Sequence, residues 1–220
     1  MKLTPRNAAR FRGVVQAWGA ENRRDYPWRN TRSPYRILLS EVMLRRTRAD
    51  QVVPVYRKVL RLYPTASKLA QARAPEIRKL LRPLGLVWRA DNLVRMAEEL
   101  RNEFACRVPT APTRLKELTG VGDYVANAVA CFAKGAAVAI VDTNVVRVIG
   151  RTFGLRLEGE ARRRKEMIAA SNLCLDRNDP RLYNYSILDF ASLVCRARSP
   201  DCDVCPLGQQ GACSYRRQAD

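Results

Sequence analysis

Leu118-Thr119-Gly120-Val121-Gly122 is the stretch on which the fold turns. It joins two segments with helical character, residues 112–118 and 123–134. Two glycines let the backbone turn tightly and let a ligand come close. The amides that open the second helix then point outward, where a phosphate can bind. A dinucleotide-binding loop is the obvious rival. It fails because Val125 holds the third glycine position and a helix, not a strand, precedes the turn. A plain αα-hairpin with glycine at the helix C-cap fits the same residues, and composition does not separate it from an anion-binding turn.

Outward from this turn, apolar spacing stays helical. Phe11, Val14, Val15 and Trp18 share one stripe, as do Tyr35, Leu38, Leu39, Val42 and Met43. Val52, Tyr56, Val59, Leu60 and Tyr63 form another, and Ile187, Phe190, Leu193 and Val194 a late one. Pro27, Pro34, Pro64, Pro83 with Gly85, Pro109 with Pro112, Gly135 and Asn178-Asp179-Pro180 punctuate the stripes. The single β-like run, 138–141, is too short to found a sheet. The pattern predicts an all-α fold of roughly ten helices, without internal repeats.

Forty Lys and Arg against twenty-one Asp and Glu leave a formal net charge of +19 over 220 residues. That balance favours a polyanionic partner through counterion release, without giving sequence specificity. Arginine dominates lysine, which suits bidentate phosphate contact, although genome base composition explains such a bias equally well. There is no histidine. Ser-His-Asp and Cys-His catalysis and His-ligated metals are thereby excluded, and acid–base work falls to carboxylates, Lys, Tyr or Cys. The first twelve residues lack the apolar core of a signal peptide, and residues 136–141 are too few to span a bilayer. The expectation is a soluble intracellular protein with no membrane partner.

Cys195, Cys202, Cys205 and Cys213 close the chain as C-x6-C-x2-C-x7-C, while Cys106, Cys131 and Cys174 lie scattered among apolar residues. Four thiolates so close in sequence can hold a metal centre. Zinc ribbons usually bring two C-x2-C knuckles, and one knuckle with long arms favours a cluster held by four thiolates. The loop is basic through Arg196 and Arg198.

Leu-Thr-Gly-Val-Gly-Asp-Tyr at 118–124, Val-Asp-Thr-Asn-Val-Val-Arg-Val at 141–148 and the four-cysteine tail together resemble the helix-hairpin-helix DNA glycosylases of the endonuclease III superfamily. Tyr26-Pro27-Trp28-Arg29 and the run from Leu39 to Thr47 extend the likeness, which covers about residue 10 to residue 213 in the family's order. It implies a two-lobed helical fold. One lobe combines 1–27 with 136–220 and carries the cluster loop at 195–213; the other, 28–135, is a helical barrel ending in the hairpin at 112–134. It also implies one 4Fe-4S cluster on the four cysteines, a monovalent cation at the hairpin, and double-stranded DNA with a mismatched or damaged base as partner. A monomer in the prokaryotic cytoplasm, at the nucleoid, completes the expectation.

The resemblance assigns roles by position. Asp142 becomes the catalytic carboxylate facing the sugar; on pattern alone it is a helix N-cap. Tyr124 stands where lyase members carry a Schiff-base lysine, which implies a monofunctional enzyme; packing is the plain alternative. Glu41 falls in the base pocket, whereas the helical wheel alone allows a solvated surface glutamate. Arg45-Arg46 replaces the Gln-Gln pair of adenine glycosylases, and Arg45 fills the gap left by an extruded nucleotide. Leu86 is a candidate wedge or a core residue, and Trp28 and Tyr35 read as core. Leu118, Gly120, Val121, Gly122, Arg196 and Arg198 complete the expected DNA contacts. The pattern is closest to the mismatch thymine/uracil glycosylases of thermophiles. Adenine glycosylases, which carry a further C-terminal reader domain, a bifunctional lyase and a non-catalytic damage-binding protein are the rivals. One departure is the last cysteine spacing, seven residues where the family usually has five.

Overall fold

The computed structural model describes residues 1–85, 88–155 and 159–216. Among them there are twelve α-helical segments, three short 3-10 turns and no strand. The excess over ten comes from single-turn pieces of four residues each. Several helices open on proline: Pro5, Pro34, Pro112, Pro180 and Pro206 each take the first position, where a missing N–H is no loss. Thr4, Ser33, Thr65 and Asp179 cap helix starts through their side chains. The chain clusters into two compact units, Met1–Arg24 with Ala137–Asp220, and Asp25–Ala136.

The first unit holds α1 (Pro5–Asn22), α9 (Thr143–Phe153), α10 (Lys165–Cys174), α11 (Pro180–Leu193) and the single-turn α12 (Pro206–Gln209). Phe11, Val15, Val148, Ile149, Tyr183, Ile187 and Phe190 fill its core. The Phe11 and Phe153 rings meet at 5.5 Å, and Trp18 stands edge-on to Phe190 at 5.2 Å. α1 lies close against α11 because Gly19 has no side chain. A Cβ there would fall 2.1 Å from Ser186 Oγ and 2.9 Å from Ser186 Cα, so backbone as well as side chain would have to shift. Gly19→Ala should therefore lower stability by about 1–3 kcal/mol in thermal or urea unfolding, despite alanine's better helix propensity. An unchanged or raised melting temperature would contradict this packing.

The second unit holds α2 (Pro34–Leu44), α3 (Ala49–Leu62), α4 (Ala66–Leu69), α5 (Ala74–Leu81), α6 (Trp88–Phe104), α7 (Pro112–Leu115) and α8 (Asp123–Lys134). α2 packs on α8 at its centre. Residues 37–43 of α2 are all buried, and so are 128–133 of α8, where Ala128, Ala130 and Ala133 permit close approach. From 37 to 43 α2 is thus enclosed on every side, which the stripe read from its sequence understates. Gly135 in the left-handed conformation ends α8. Trp28 and Tyr35 are core residues, 3% and 8% exposed; Trp28 stacks on Tyr26, and the Tyr35 hydroxyl donates to the Tyr63 carbonyl at 2.7 Å. The first hairpin helix is shorter than 112–118. It stops at Leu115, and Glu117 and Leu118 continue as tight turns bonded three residues back.

Candidate functional site

The hairpin is held from α6. Glu99 accepts from the Thr119 amide at 2.6 Å and from the Thr119 hydroxyl. Gly120 has φ +81, and a Cβ on it would press against Asn92 at 3.3 Å, so glycine is required for conformation and close approach. Gly122 is different. Its backbone is extended, with φ −98 and ψ −176, and nothing lies within 4 Å of where a Cβ would stand. No side-chain cap bond closes the start of α8 beside Gly122. Leu118 and Val121 are 2% and 7% exposed, so their side chains pack the turn and only their backbone can meet a ligand.

Glu41 is 3% exposed in the last two turns of α2, so it is not a solvated surface glutamate. α2 ends at Leu44, and the exposed Arg45 and Arg46 follow in a turn where Arg46 has φ +56. The Arg45 guanidinium donates to the Gly120 carbonyl at 3.2 Å and lies 5.2 Å from the Trp88 ring centre. This turn and the hairpin are therefore joined by a direct bond. Tyr124 is half-buried in the first turn of α8. Leu86 lies outside the described residues.

In the other unit, Asp142 caps α9. Its Oδ1 accepts the amides of Asn144 at 2.9 Å and Val145 at 2.8 Å, while Oδ2 accepts Asn144 Nδ2 at 2.6 Å. The N-cap reading is correct, and it leaves a lone pair on Oδ2 for a further partner, Oδ1 already accepting two amides. Burial pushes the carboxyl above its usual range, although three hydrogen bonds and the Arg147 charge pull the other way. The extended segment leading to Asp142 is fixed by the buried Asn184 of α11, which donates to the Val138 carbonyl at 3.1 Å and accepts the Ile140 amide at 3.2 Å. Nothing in the sequence marks Asn184 for this task, because a single amide stands in for a strand partner.

The cysteine loop is built on two arginines of α9. Arg147 donates to the Cys195 carbonyl at 2.8 Å and, on its other side, to Asn144 Oδ1 at 3.1 Å. Arg151 reaches the carbonyls of Arg196 and Ala197 at 2.7 and 2.8 Å and lies 3.7 Å from Cys195 Sγ. The amides of Leu207 and Gly208 bond the Cys205 sulfur. Burial first, and then the charges of Cys213 and Cys195, raise the thiols of both Cys202 and Cys205. The four sulfurs are thus electrostatic neighbours, with a guanidinium beside them. An all-thiolate donor set with mutual repulsion and an adjacent cation fits a cluster of positive core charge. Among the described residues no group of three or more His, Cys, Asp or Glu is gathered for a single metal ion. Between Cys205 and Cys213 the chain forms α12 and turns at Gly211, φ +62. Arg196 turns onto its own loop, donating to Ser199 and Leu193 carbonyls at 2.9 and 3.3 Å, whereas Arg198 is exposed.

Residues 39–171, more than half of the chain, match the HhH-GPD superfamily of base excision DNA repair proteins, and residues 195–209 match the iron–sulfur binding domain of endonuclease III. The thymine/uracil-DNA glycosylase of Pyrobaculum aerophilum is 36% identical over 98% of this chain and 97% of its own. The adenine DNA glycosylase of Mycolicibacterium smegmatis is 36% identical over 91% of this chain and 67% of its own. A solved thermostable thymine-DNA glycosylase superposes with a TM-score of 0.88 at 33% identity, covering 97% of this chain and 98% of that one. The chain belongs to the HhH-GPD superfamily and is a base-excision-repair DNA glycosylase with an iron–sulfur loop. Among the described residues no helix is long and apolar enough to cross a membrane.

Proposed function

We propose that this glycosylase is monofunctional and hydrolyses the N-glycosidic bond of thymine or uracil mismatched with guanine. Tyr124 carries the reading. It occupies the first turn of α8, where lyase members of the family place an amine nucleophile, and a phenol cannot form an imine with C1′. Arg45-Arg46 in place of a Gln-Gln pair, and the thymine/uracil-named relatives, support the substrate class. Adenine opposite oxoguanine is the second reading, favoured by the adenine-named relatives.

In this reading the bond to the base breaks with its electron pair leaving on the base, which Glu41 protonates or hydrogen-bonds. Positive charge grows at C1′ and the ring oxygen, and the Asp142 carboxylate stabilises it more in the transition state than in the ground state. Water adds to C1′ and loses its proton to Asp142 or to solvent. The N-terminal turn of α8 and the backbone at Gly122 hold a DNA phosphate. A 4Fe-4S cluster on Cys195, Cys202, Cys205 and Cys213 would cross-link the basic loop and supply no step of the hydrolysis. The two lobes of this reading are the segments 1–27 with 136–220, and 28–135.

Borohydride trapping tests the monofunctional assignment. The wild-type enzyme should yield no covalent adduct with mismatched DNA, and Tyr124→Lys should yield one. Trapping by the wild type would overturn the assignment; none with Tyr124→Lys would show that residue 124 does not face the sugar.

A further inference from the structure

Arg89 is the least expected buried group in the molecule. Its side chain is fully buried, and among the described residues it is the largest so enclosed. It is the second residue of α6, where the helix dipole disfavours a cation. No carboxylate pairs with it among the described residues; its partners are the Met43 carbonyl at 3.0 Å, the Arg45 carbonyl and the Thr47 hydroxyl at 2.8 Å. The Met43 carbonyl is one that the end of α2 leaves without a helical partner, the other two acceptors belong to the turn that follows, and the negative end of that helix suits a guanidinium. Burial and the nearby Arg45 charge depress its basicity, so the arrangement opposes two cations rather than relieving one. A group placed at such cost is accounted for by the turn it holds. Arg46 is a non-glycine residue at φ +56, and the Arg45 side chain leaves that turn toward the Gly120 carbonyl and the Trp88 ring.

We propose that Arg89 is a positioning residue for DNA glycosylase action, which locks the end of α2 and its 45–47 turn so that Arg45 is presented in one direction to fill the gap left by the extruded nucleotide. The inference rests on the role given to Arg45 above. It makes Arg89 act through Arg45 and not through DNA, since a buried guanidinium has no access to the duplex.

The test is a double-mutant cycle on a G·T or G·U duplex, with single-turnover rates at saturating enzyme, duplex affinity, and the fluorescence of a purine analogue beside the mismatch that reports extrusion. Arg89→Met should slow the rate and the extrusion signal tenfold or more while affinity for undamaged duplex stays within threefold. The Arg89→Met/Arg45→Ala double variant should be no slower than Arg45→Ala alone. Thr47→Val removes the hydroxyl that accepts from Arg89 and donates to the Arg45 carbonyl at 3.4 Å, and should cause a smaller loss of the same kind, so the inference stays testable if Arg89→Met does not fold. Multiplicative losses in the cycle, or an Arg89→Met or Thr47→Val enzyme with normal extrusion, would overturn it. A wild-type rate from Arg45→Ala would instead remove the role of Arg45, and this inference with it.

Discussion

Asp142→Asn should abolish base removal while leaving the protein as stable as before or more so. The activity side follows from charge. In the proposed mechanism the Asp142 carboxylate is the fixed anion beside C1′, preorganised electrostatic stabilisation of this kind is usually the largest single term in catalysis, and a neutral amide cannot replace it. The stability side follows from the position of the carboxyl, whose ionisation burial opposes. A carboxyl raised in the folded state contributes stability below its unfolded pKa and loses it as pH rises through the folded value. At neutral pH the ionised Asp142 is therefore a net burden on the fold. Asparagine keeps an oxygen for the amides of Asn144 and Val145, remains a good N-cap and does not ionise. The stability gain should fade on acidification. The rate of the wild type should fall on the acid side at a pH above the ordinary carboxylate range, because the anion is the working form. Single-turnover rates across pH, with melting curves of both proteins, check all of this. A strongly destabilised Asp142→Asn, or one that still turns over, would show that the residue is an N-cap and nothing more.

Cys205→Ala should remove bound iron and the visible absorbance together, and lower the free energy of unfolding by roughly 2–4 kcal/mol, with a lower melting temperature. The loop is anchored in the core of its unit: Leu207 is 1% exposed and Ala212 fully buried. Loss of the cross-link would free both side chains. Cys213→Ala should behave alike, in spite of the longer last spacing, and Cys174→Ala, a buried thiol away from the loop, should keep the iron. An iron-replete Cys213→Ala would remove Cys213 from the ligand set.

The sequence carries the helical architecture because its apolar stripes, proline starts and glycine stops are local. Gly120 is legible for the same reason: a tight turn needs it. What it does not carry are contacts that join distant segments. Glu41 reads as solvated on a wheel although residues 37–43 of α2 are buried all round, and no wheel foresees two helical turns without an outer face. The inward packing of the Leu118 and Val121 side chains, which leaves only their backbone for a ligand, is not legible either. Arg89, Asn184 and Arg151 are missed because each satisfies backbone carbonyls or amides of another segment, 40 residues or more away. A polar side chain doing that leaves no periodicity and no motif.

The most direct test of the account is single-turnover cleavage of end-labelled duplexes carrying G·T, G·U and oxoguanine·A, each with and without hot alkali. The account predicts breakage of the G·T or G·U strand at the mismatched pyrimidine only after alkali. Breakage confined to the adenine strand, or of any strand without alkali, would contradict it.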